Sequence, residues 1–399
     1  MLSFFLFFGV VLGVLFLATR YIWRRLVRDT ELTGRTRLAA STLIIGSSVL
    51  IPVIMVVGRR SPRGPFEFLA SPIFTWMGAL YYLVLLFWLF DLFRWSAKKA
   101  RSLANRFKPA ATETQSEPED PSRRLFLART GAGIALAGTS AAVFIGRSNV
   151  SGEITTPTIE VPLARLPKAL DGFRIVHFTD VHIGPILDRK FLRGLVEKAN
   201  AMKPDLVVIT GDLVDSSPGL IGPEVAELAK LKSRFGRFFV TGNHEYYSGA
   251  EDWIQYLAKM EIPTLINQRV SIGDSGASFD LAGIPDKVGG RYSHLHNPDL
   301  AATLKGRDPE RELLLLAHRP GPIDDAAKHH VGLQLSGHTH GGQLWPSTIV
   351  SKWKHTYSTG LHHHTPDTQI YVSRGAGFWG APMRIAAPAE LPLIVLSST

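Results

Sequence analysis

Ser336-Gly337-His338-Thr339-His340-Gly341-Gly342-Gln343 follows an apolar run at residues 331–335, Val-Gly-Leu-Gln-Leu. The run has the length and composition of a buried strand, and the glycines that follow it mark a turn. Such a turn can bring two imidazoles, separated by one residue, to neighbouring points in space. The segment therefore predicts one part of a metal site whose other ligands come from elsewhere in the chain.

Four more strand-like runs lie upstream, and each ends in polar side chains. The runs at residues 174–179, 205–210, 237–241 and 313–317 lead into Asp180 and His182, Asp212, Asn243 and His244, and His318, respectively. Helical patterns lie between the strands, and one of them starts at Asp188, which is a plausible cap. Strands that alternate with helices predict α/β layers with largely parallel pairing. Ligands of such sheets bind beyond the carboxyl ends of the strands, where all five clusters fall.

The residue types at these strand ends suit a two-metal site. Aspartate oxygens and imidazole nitrogens favour Mn, Fe, Zn or Ni, and a carboxylate can bridge two cations about 3.5–4 Å apart. Two such cations lower the pKa of a shared water and clamp a phosphoryl group. A further histidine that does not bind metal can give a proton to the leaving alkoxide.

The whole ordered set resembles the calcineurin-like metallophosphoesterase family, and in particular its bacterial membrane-anchored branch. The motifs that carry the resemblance span roughly residues 172–399 and are Asp180-x-His182, Gly211-Asp212, Gly242-Asn243-His244-Glu245, His318 and Gly337-His338-Thr339-His340. The resemblance implies a four-layer αββα sandwich, in which two mixed sheets pack face to face with helices outside.

The resemblance also implies roles for these residues. One metal would be held by Asp180, His182, Asp212 and His340, and the second by Asp212, Asn243, His318 and His338. Water activated at the metals would attack phosphorus in line. His244 would orient the phosphate and protonate the leaving oxygen.

Several other residues have two interpretations. Glu245 either orients a metal ligand or caps the following turn, and Arg374 either meets a phosphate or belongs to a structural glycine turn. Tyr246 and Tyr247 either line the substrate entrance or pack. A structural interpretation is favoured for the remaining candidates, which are Asp215 (turn or helix start), His177 (core), His329 and His330 (solvated helix end) and His362-His363-His364 (solvated loop).

The first 150 residues have the composition of membrane segments. Residues 2–19, 38–57 and 72–93 are apolar runs long enough to cross a bilayer, and residues 130–145 form a shorter, Ala/Gly-rich run. We therefore predict three transmembrane helices in residues 1–95, a basic and polar cytoplasmic linker in 96–123, a fourth membrane segment in 124–150 and the phosphoesterase domain in 151–399. Residues 108–122 are expected to be disordered.

Charge separates the two halves of the chain. Residues 1–150 hold 19 Lys/Arg and 8 Asp/Glu, a net charge of +11, whereas residues 151–399 hold 25 and 26, a net charge of −1. The basic excess therefore flanks the membrane segments, which argues against a nucleic-acid partner and for contact with the bilayer. The absence of cysteine excludes disulfides.

The same charges predict the orientation in the membrane. The loops at residues 20–37 and 94–124 hold six and eight basic residues, and the loop between them at 58–71 holds three. The positive-inside rule then places the first and third loops in the cytoplasm and the enzyme in the periplasm or outside the cell. Arg123-Arg124 and the segment that follows resemble a twin-arginine export signal.

The sequence thus predicts a multi-pass protein of the cell (inner) membrane that hydrolyses a phosphomonoester, phosphodiester or pyrophosphate bond. The anchored branch resembles, among others, enzymes that cleave UDP-2,3-diacylglucosamine, a nucleotide-linked lipid precursor found in the cytoplasm. An outward-facing enzyme would instead meet an envelope lipid or another extracytoplasmic phosphoester. The alternatives are a membrane sensor or transporter with an inactive phosphatase-like head and a secreted enzyme with an incidental leader. The sequence does not indicate an oligomeric state.

Overall fold

The computed structural model describes residues 2–64, 67–106 and 120–399. The chain forms two compact units. The helical unit comprises Met1–Met55 and Ser71–Ile145, and the αβ unit comprises Val56–Ala70 and Gly146–Thr399.

Long helices fill the N-terminal part of the chain. Their bounds are α1 (Leu2–Trp23), α2 (Gly34–Arg60), α3 (Glu67–Arg106) and α4 (Pro121–Ser151). Within the described residues, three segments are long and apolar enough to cross a membrane, namely Gly34–Arg60, Glu67–Ala104 and Pro121–Ser151. The predicted second, third and fourth membrane segments therefore lie in these helices, and the first apolar run forms α1.

Two boundaries differ from those predicted. Residues 96–106 were assigned to a linker, but they continue α3, because the Lys, Arg and Ala residues here are strong helix formers. The fourth segment begins at Pro121, so that Arg123 and Arg124 lie in the first turn of α4. Residues 107–119, which include most of the predicted disordered stretch, lie outside the described part of the chain.

The interior of the helical unit is largely apolar, and a polar contact lies near the end of the third apolar run. Ile22, Leu83 and Phe87 are among its buried side chains. Asp91 accepts a hydrogen bond from the Tyr21 hydroxyl at 2.7 Å and forms an ion pair with Arg25. This carboxylate is therefore already bound by two partners.

Eleven strands of the αβ unit form two sheets. Their bounds are β1 (Thr158–Leu163), β2 (Phe173–Phe178), β3 (Leu206–Ile209), β4 (Arg237–Phe239), β5 (Gln268–Asp274), β6 (Ala277–Gly283), β7 (Leu313–Leu316), β8 (Leu333–Ser336), β9 (Gly360–Thr365), β10 (Thr368–Val372) and β11 (Leu393–Ser398). The first sheet has the order β1-β11-β2-β3-β4, and the second has the order β5-β6-β7-β8-β10-β9. Both are mixed, since β11 is antiparallel to β2, and β5 and β9 are antiparallel to their neighbours.

Helices complete the layers of the αβ unit. Their bounds are α5 (Arg189–Ala201), α6 (Pro218–Val225), α7 (Asn243–Ser248), α8 (Ala250–Ala258), α9 (Leu300–Thr303), α10 (Ile323–Lys328) and α11 (Ser347–Lys354). The predicted cap is confirmed, because the Asp188 side chain accepts a hydrogen bond from the Phe191 amide at the start of α5.

Three clusters of buried apolar side chains define four layers. The central cluster joins the two sheets, with Ile175 and Val208 from the first and Phe279 and Leu314 from the second. Side chains of α5, α6 and α8 cover the other face of the first sheet, and those of α9 and α10 cover the other face of the second. The four-layer αββα sandwich predicted from the sequence is confirmed.

The triple-histidine tract was predicted to lie in a solvated loop, and this prediction is wrong. His362-His363-His364 lies in β9, which pairs with β10 at the edge of the second sheet. An edge strand leaves one side unpaired and so tolerates polar side chains. Within the part of the chain that the structure describes, no side-chain group compact enough to hold a metal includes this tract.

Candidate metal centre

Six of the predicted ligands lie together beyond the carboxyl ends of the strands. Asp180 and His182 follow β2, Asp212 follows β3, His318 follows β7, and His338 and His340 follow β8. They form two groups, Asp180 with His182 and His340, and Asp212 with His318 and His338. Within each group the possible ligand atoms lie within 4.8 Å of one another, so each group could hold one metal ion.

Asp212 lies between the two groups. Its Oδ2 is 3.2 Å from Nε2 of His318 in its own group and 4.0 Å from Nε2 of His182 in the other. The side chain is buried. In the first group, Nε2 of His340 is 3.3 Å from Oδ1 of Asp180 and 3.2 Å from Nε2 of His182. This geometry allows the Asp212 carboxylate to bridge two cations.

The seventh predicted ligand, Asn243, begins α7. It is held in place by the guanidinium of Arg319, a residue that the sequence did not single out. Its Oδ1 accepts a hydrogen bond from Nη2 of Arg319 at 2.8 Å. Nη1 of the same guanidinium is 2.6 Å from Nε2 of His338, and its Nε is 2.6 Å from the buried carboxylate of Asp286. Arg319 therefore orients the His338 ring of the second group and the neutral amide of Asn243. It was missed because its partners lie 19, 33 and 76 residues away in sequence.

The donor set fits divalent cations. Oδ1 of Asp180 is buried and has no hydrogen-bond partner, which is unfavourable unless a cation or another donor meets it. Burial opposes the charged form of His182, yet the carboxylates of Asp215, Asp212 and Asp180 raise its pKa to about 9. Burial likewise opposes the charged form of His318, but Asp212 raises its pKa to about 10. The carboxylates thus stabilise positive charge in both groups, which fits the binding of divalent cations there.

The backbone at the predicted ligands is unusual. Residues with a left-handed conformation include Asp180, His182, Asp212, His338 and His340, with φ between 49° and 69°. This region costs a non-glycine residue on the order of 1 kcal/mol, although Asp and His tolerate it better than most. A sharp turn immediately after each strand is what aims these side chains back at the common centre.

Two glycines allow this close packing. A Cβ on Gly337 would lie 2.2 Å from Oδ2 of Asp180, and a Cβ on Gly242 would lie 2.2 Å from Oδ1 of Asp212. Only glycine leaves room for the carboxylates at these positions. The glycines that flank the ligands in sequence are therefore part of the construction of the site.

Asp215 was predicted to be a turn or helix-start residue, but it contacts two histidines of the site. Its Oδ1 is 2.5 Å from Nδ1 of His244 and 3.2 Å from Nδ1 of His182. Burial raises the pKa of Asp215, but the two imidazoles outweigh this effect and hold it well below its usual range. An ionised carboxylate at this place keeps both Nδ1 atoms protonated and leaves both Nε2 atoms facing the centre.

Comparison with known proteins identifies the family. Residues 173–342 match the family described as calcineurin-like phosphoesterase. A transmembrane protein with metallophosphoesterase domain from Danio rerio is 32% identical, and the match covers 96% of this chain and 87% of that protein. The chain belongs to the calcineurin-like phosphoesterase family.

Two further relatives match over a shorter region. The protein of the same name from Bos taurus is 36% identical over 64% of this chain and 60% of its own length. An uncharacterized metallophosphoesterase from Helicobacter pylori is 38% identical over 61% of this chain and 65% of its own length. The chain thus spans less than two thirds of each of these two relatives.

Glu245 does both of the things that the sequence left open. Its carboxylate accepts hydrogen bonds from the amides of Gly242, Asp212 and Leu213 at 2.6, 2.9 and 2.8 Å. The first bond caps α7, and the other two fix the backbone at Asp212 and the residue after it. Burial, followed by the charge of Asp212, raises the pKa of Glu245 to about 7.

Arg374 and His177 both have structural roles. Arg374 binds the buried carboxylate of Glu390 through Nε at 2.8 Å, and its backbone amide donates to the same carboxylate at 3.0 Å. The guanidinium is therefore held beside the glycine turn, which supports the structural interpretation of Arg374. His177 is fully buried, which agrees with its assignment to the core.

The two tyrosines that follow Glu245 differ in exposure. Tyr246 is buried, with its hydroxyl 3.0 Å from that of Thr241, so it packs. Tyr247 is exposed, and its ring centre lies 5.6 Å from that of His244. Its position is the one expected for a residue at the entrance to the site.

Proposed function

We propose that this protein is a membrane-anchored phosphoesterase that uses two divalent cations to hydrolyse a phosphomonoester, phosphodiester or pyrophosphate bond of a lipid-linked substrate. The observation that carries the proposal is the place of Asp212, whose Oδ2 lies within 4.0 Å of imidazoles from both groups. Oxygen and imidazole donors suit Mn, Fe, Zn or Ni, and we take manganese as the first metal to test.

Two cations bound here would supply Lewis acidity and a water of lowered pKa. Asp180, His182, Asp212 and His340 would hold one of them, and Asp212, Asn243, His318 and His338 the other. Arg319 keeps the Asn243 oxygen and the His338 ring in place, so that a neutral amide can serve beside the carboxylate.

His244 is placed to move the proton. Its Nδ1 is bound to Asp215, and its Nε2 lies 4.0 Å from Oδ2 of Asp212, on the inner side of the site. The ring can therefore orient a phosphoryl oxygen and give a proton from Nε2 to the departing oxygen. Asp215 stabilises the charged ring and fixes its orientation.

The function is tested with the purified full chain in detergent. We expect turnover of a p-nitrophenyl monoester or diester that requires added Mn²⁺ and stops with a chelator. Mn²⁺ at about 100 times its Kd should also stabilise the folded state by roughly 2.7 kcal/mol, seen as a higher melting temperature. Chelator-resistant turnover, or no turnover and no thermal shift with any of the four metals, would overturn the proposal.

The alternative of a transporter with an inactive head has little support among the described residues. The three groups able to hold metal include six of the predicted ligands. Asp91, the acidic residue of the third apolar run, is already bound to Tyr21 and Arg25. We therefore put forward the enzyme alone.

We also propose that the αβ unit lies outside the cytoplasm, in the periplasm of a cell with two membranes. The charge of the loops supports this orientation, and Arg123-Arg124 would act as a twin-arginine signal. An envelope lipid is then the accessible substrate rather than a cytoplasmic nucleotide-linked precursor. The chain has no cysteine, so a membrane-impermeant maleimide should label a Ser275→Cys variant in spheroplasts; labelling only after lysis would place the unit in the cytoplasm.

A further inference from the structure

Helix α11 has its polar and apolar sides reversed. The residues that it buries are Thr348 and Ser351, whereas Ile349, Val350 and Trp353 are exposed by 43%, 56% and 85%. A helix on a water-exposed surface normally buries its large apolar side chains and exposes its hydroxyls. An apolar face that is left open in this way marks a surface that is covered by something other than water.

This face borders the candidate metal centre. A Cβ on Gly342 would lie 2.6 Å from Cα of Thr348. Helix α11 therefore packs directly against the turn that carries the predicted metal ligand His340, two residues before Gly342. Gln343 donates to the carbonyl of Trp379 at 3.0 Å and accepts from its amide at 3.0 Å. The half-exposed Trp379 ring lies 6.3 Å from that of His244. The turn at Gly342-Gln343 thus connects α11 with two half-exposed apolar rings, Trp345 and Trp379, and the second lies beside the proposed proton donor.

The charged side chains of α11 have one sign. Helix α11 contains no acidic residue, and both Lys352 and Lys354 are exposed. On the other side of His244, the Arg59 guanidinium lies 5.6 Å from the ring centre of Tyr247 and donates to the carbonyl of Asp215 at 3.3 Å. Arg59 belongs to the αβ unit and is also the penultimate residue of a candidate membrane span, Gly34–Arg60. The entrance is therefore bonded to the last turn of a candidate membrane span.

We propose that α11, together with Trp345 and Trp379, inserts into the headgroup region of an anionic bilayer and presents the site to phosphoesters that reside in the lipid. Tryptophan favours the membrane interface, and lysines beside it are attracted to anionic lipid. The docking itself is independent of catalysis, whereas the presentation of substrate rests on the proposed phosphoesterase function.

A bilayer fits this surface better than a second protein. An eight-residue helix is about 12 Å long, and its exposed side is far smaller than the roughly 800 Å² that each partner of a stable complex buries. A membrane needs no such area, because a chain that already spans it keeps the face at high local concentration. A protein partner or bare solvent at this face would each give a distinct experimental result.

Docking is tested by spin labels on the full chain in anionic vesicles. Since the chain lacks cysteine, Val350→Cys and Trp353→Cys each carry a single label. Ser275→Cys serves as the control, because Ser275 is exposed in the β5–β6 turn at the opposite end of the strands from the site. We expect frequent collisions of the α11 labels with oxygen and few with a water-soluble nickel chelate, and the reverse at Ser275.

Two results would overturn docking. Nickel accessibility equal to that of Ser275 would mean that α11 faces water. Protection from both reagents would mean that protein covers the face. Neither result depends on turnover, so the accessibility measurement can be interpreted even if the protein is not an enzyme.

Presentation of substrate is tested with probes that share one reacting group. The pair is p-nitrophenyl hexadecyl phosphate in vesicles and p-nitrophenyl methyl phosphate in solution or, for a monoesterase, phosphatidic acid and glycerol phosphate. Trp353→Glu should lower turnover of the vesicle probe roughly tenfold and leave the soluble probe unchanged. Equal effects on both, or turnover of the soluble probe but not of the vesicle probe by the unmodified chain, would refute presentation. Failure with both probes would instead count against the phosphoesterase function.

Discussion

Asp212→Asn should lower metal-dependent turnover by about 10³-fold or more, while the folded chain persists. The amide has nearly the shape of the carboxylate but removes the charge that can be shared between the two groups. Oδ2 of Asp212 lies 3.2 Å from His318 and 4.0 Å from His182. Losing the bridging charge weakens the binding of both proposed cations. A 10³-fold loss of turnover corresponds to about 4 kcal/mol of transition-state stabilisation.

The measurement pairs steady-state turnover with the amount of metal bound per chain. Asp367→Asn is the matched control, since Asp367 is exposed in the turn between β9 and β10, and it should behave as the unmodified chain. The bridging role of Asp212 is wrong if the variant keeps full turnover and the same metal content.

His244→Ala should lower kcat by roughly 10²–10⁴-fold, the usual contribution of a positioned acid. The loss should be largest for an alkyl phosphoester, because a poor leaving group needs the proton. It should be smaller for a p-nitrophenyl ester, because p-nitrophenolate leaves without one. Asp215→Asn should give a smaller loss of the same kind, since the ring remains but its orientation and charge are no longer fixed by the bond at Nδ1.

His363→Ala controls for the loss of an imidazole, because His363 is exposed in the edge strand β9. It should leave kcat unchanged for both classes of ester. Equal losses for the two leaving groups in His244→Ala would show that this residue does not act as the acid, and that it serves binding instead.

The sequence predicted the α/β layers and the strand ends well because these depend on local patterns, whereas the four-layer sandwich was implied by the family resemblance. Apolar runs such as residues 205–210 end in ligand-type residues, and the carboxyl ends of neighbouring parallel strands meet at one edge. The positions of Asp180 and Asp212 near each other follow directly, since β2 and β3 are adjacent in register. The predicted start of α5 held for the same reason, because its capping residue is local.

What the sequence did not predict depends on contacts between distant segments. Asp215 resembles a turn residue until the fold places His182 and His244 on either side of it. Arg319 acquires its role only when β7 and β8 bring His338 alongside. The triple-histidine tract was assigned to a loop because its polarity outweighed its strand pattern. Pairing with β10 at a sheet edge reverses that preference.

The five predicted ligands with a left-handed backbone are the positions at which a descendant of this chain would most readily lose the site. Asparagine or glycine at Asp180, His182, Asp212, His338 or His340 would relax the local backbone, so a descendant with no further use for cations would gain stability by acquiring them. Such a descendant would keep both sheets and lose the predicted metal ligands one after another. The present chain carries aspartate or histidine at all five positions, as the proposed binding of cations requires.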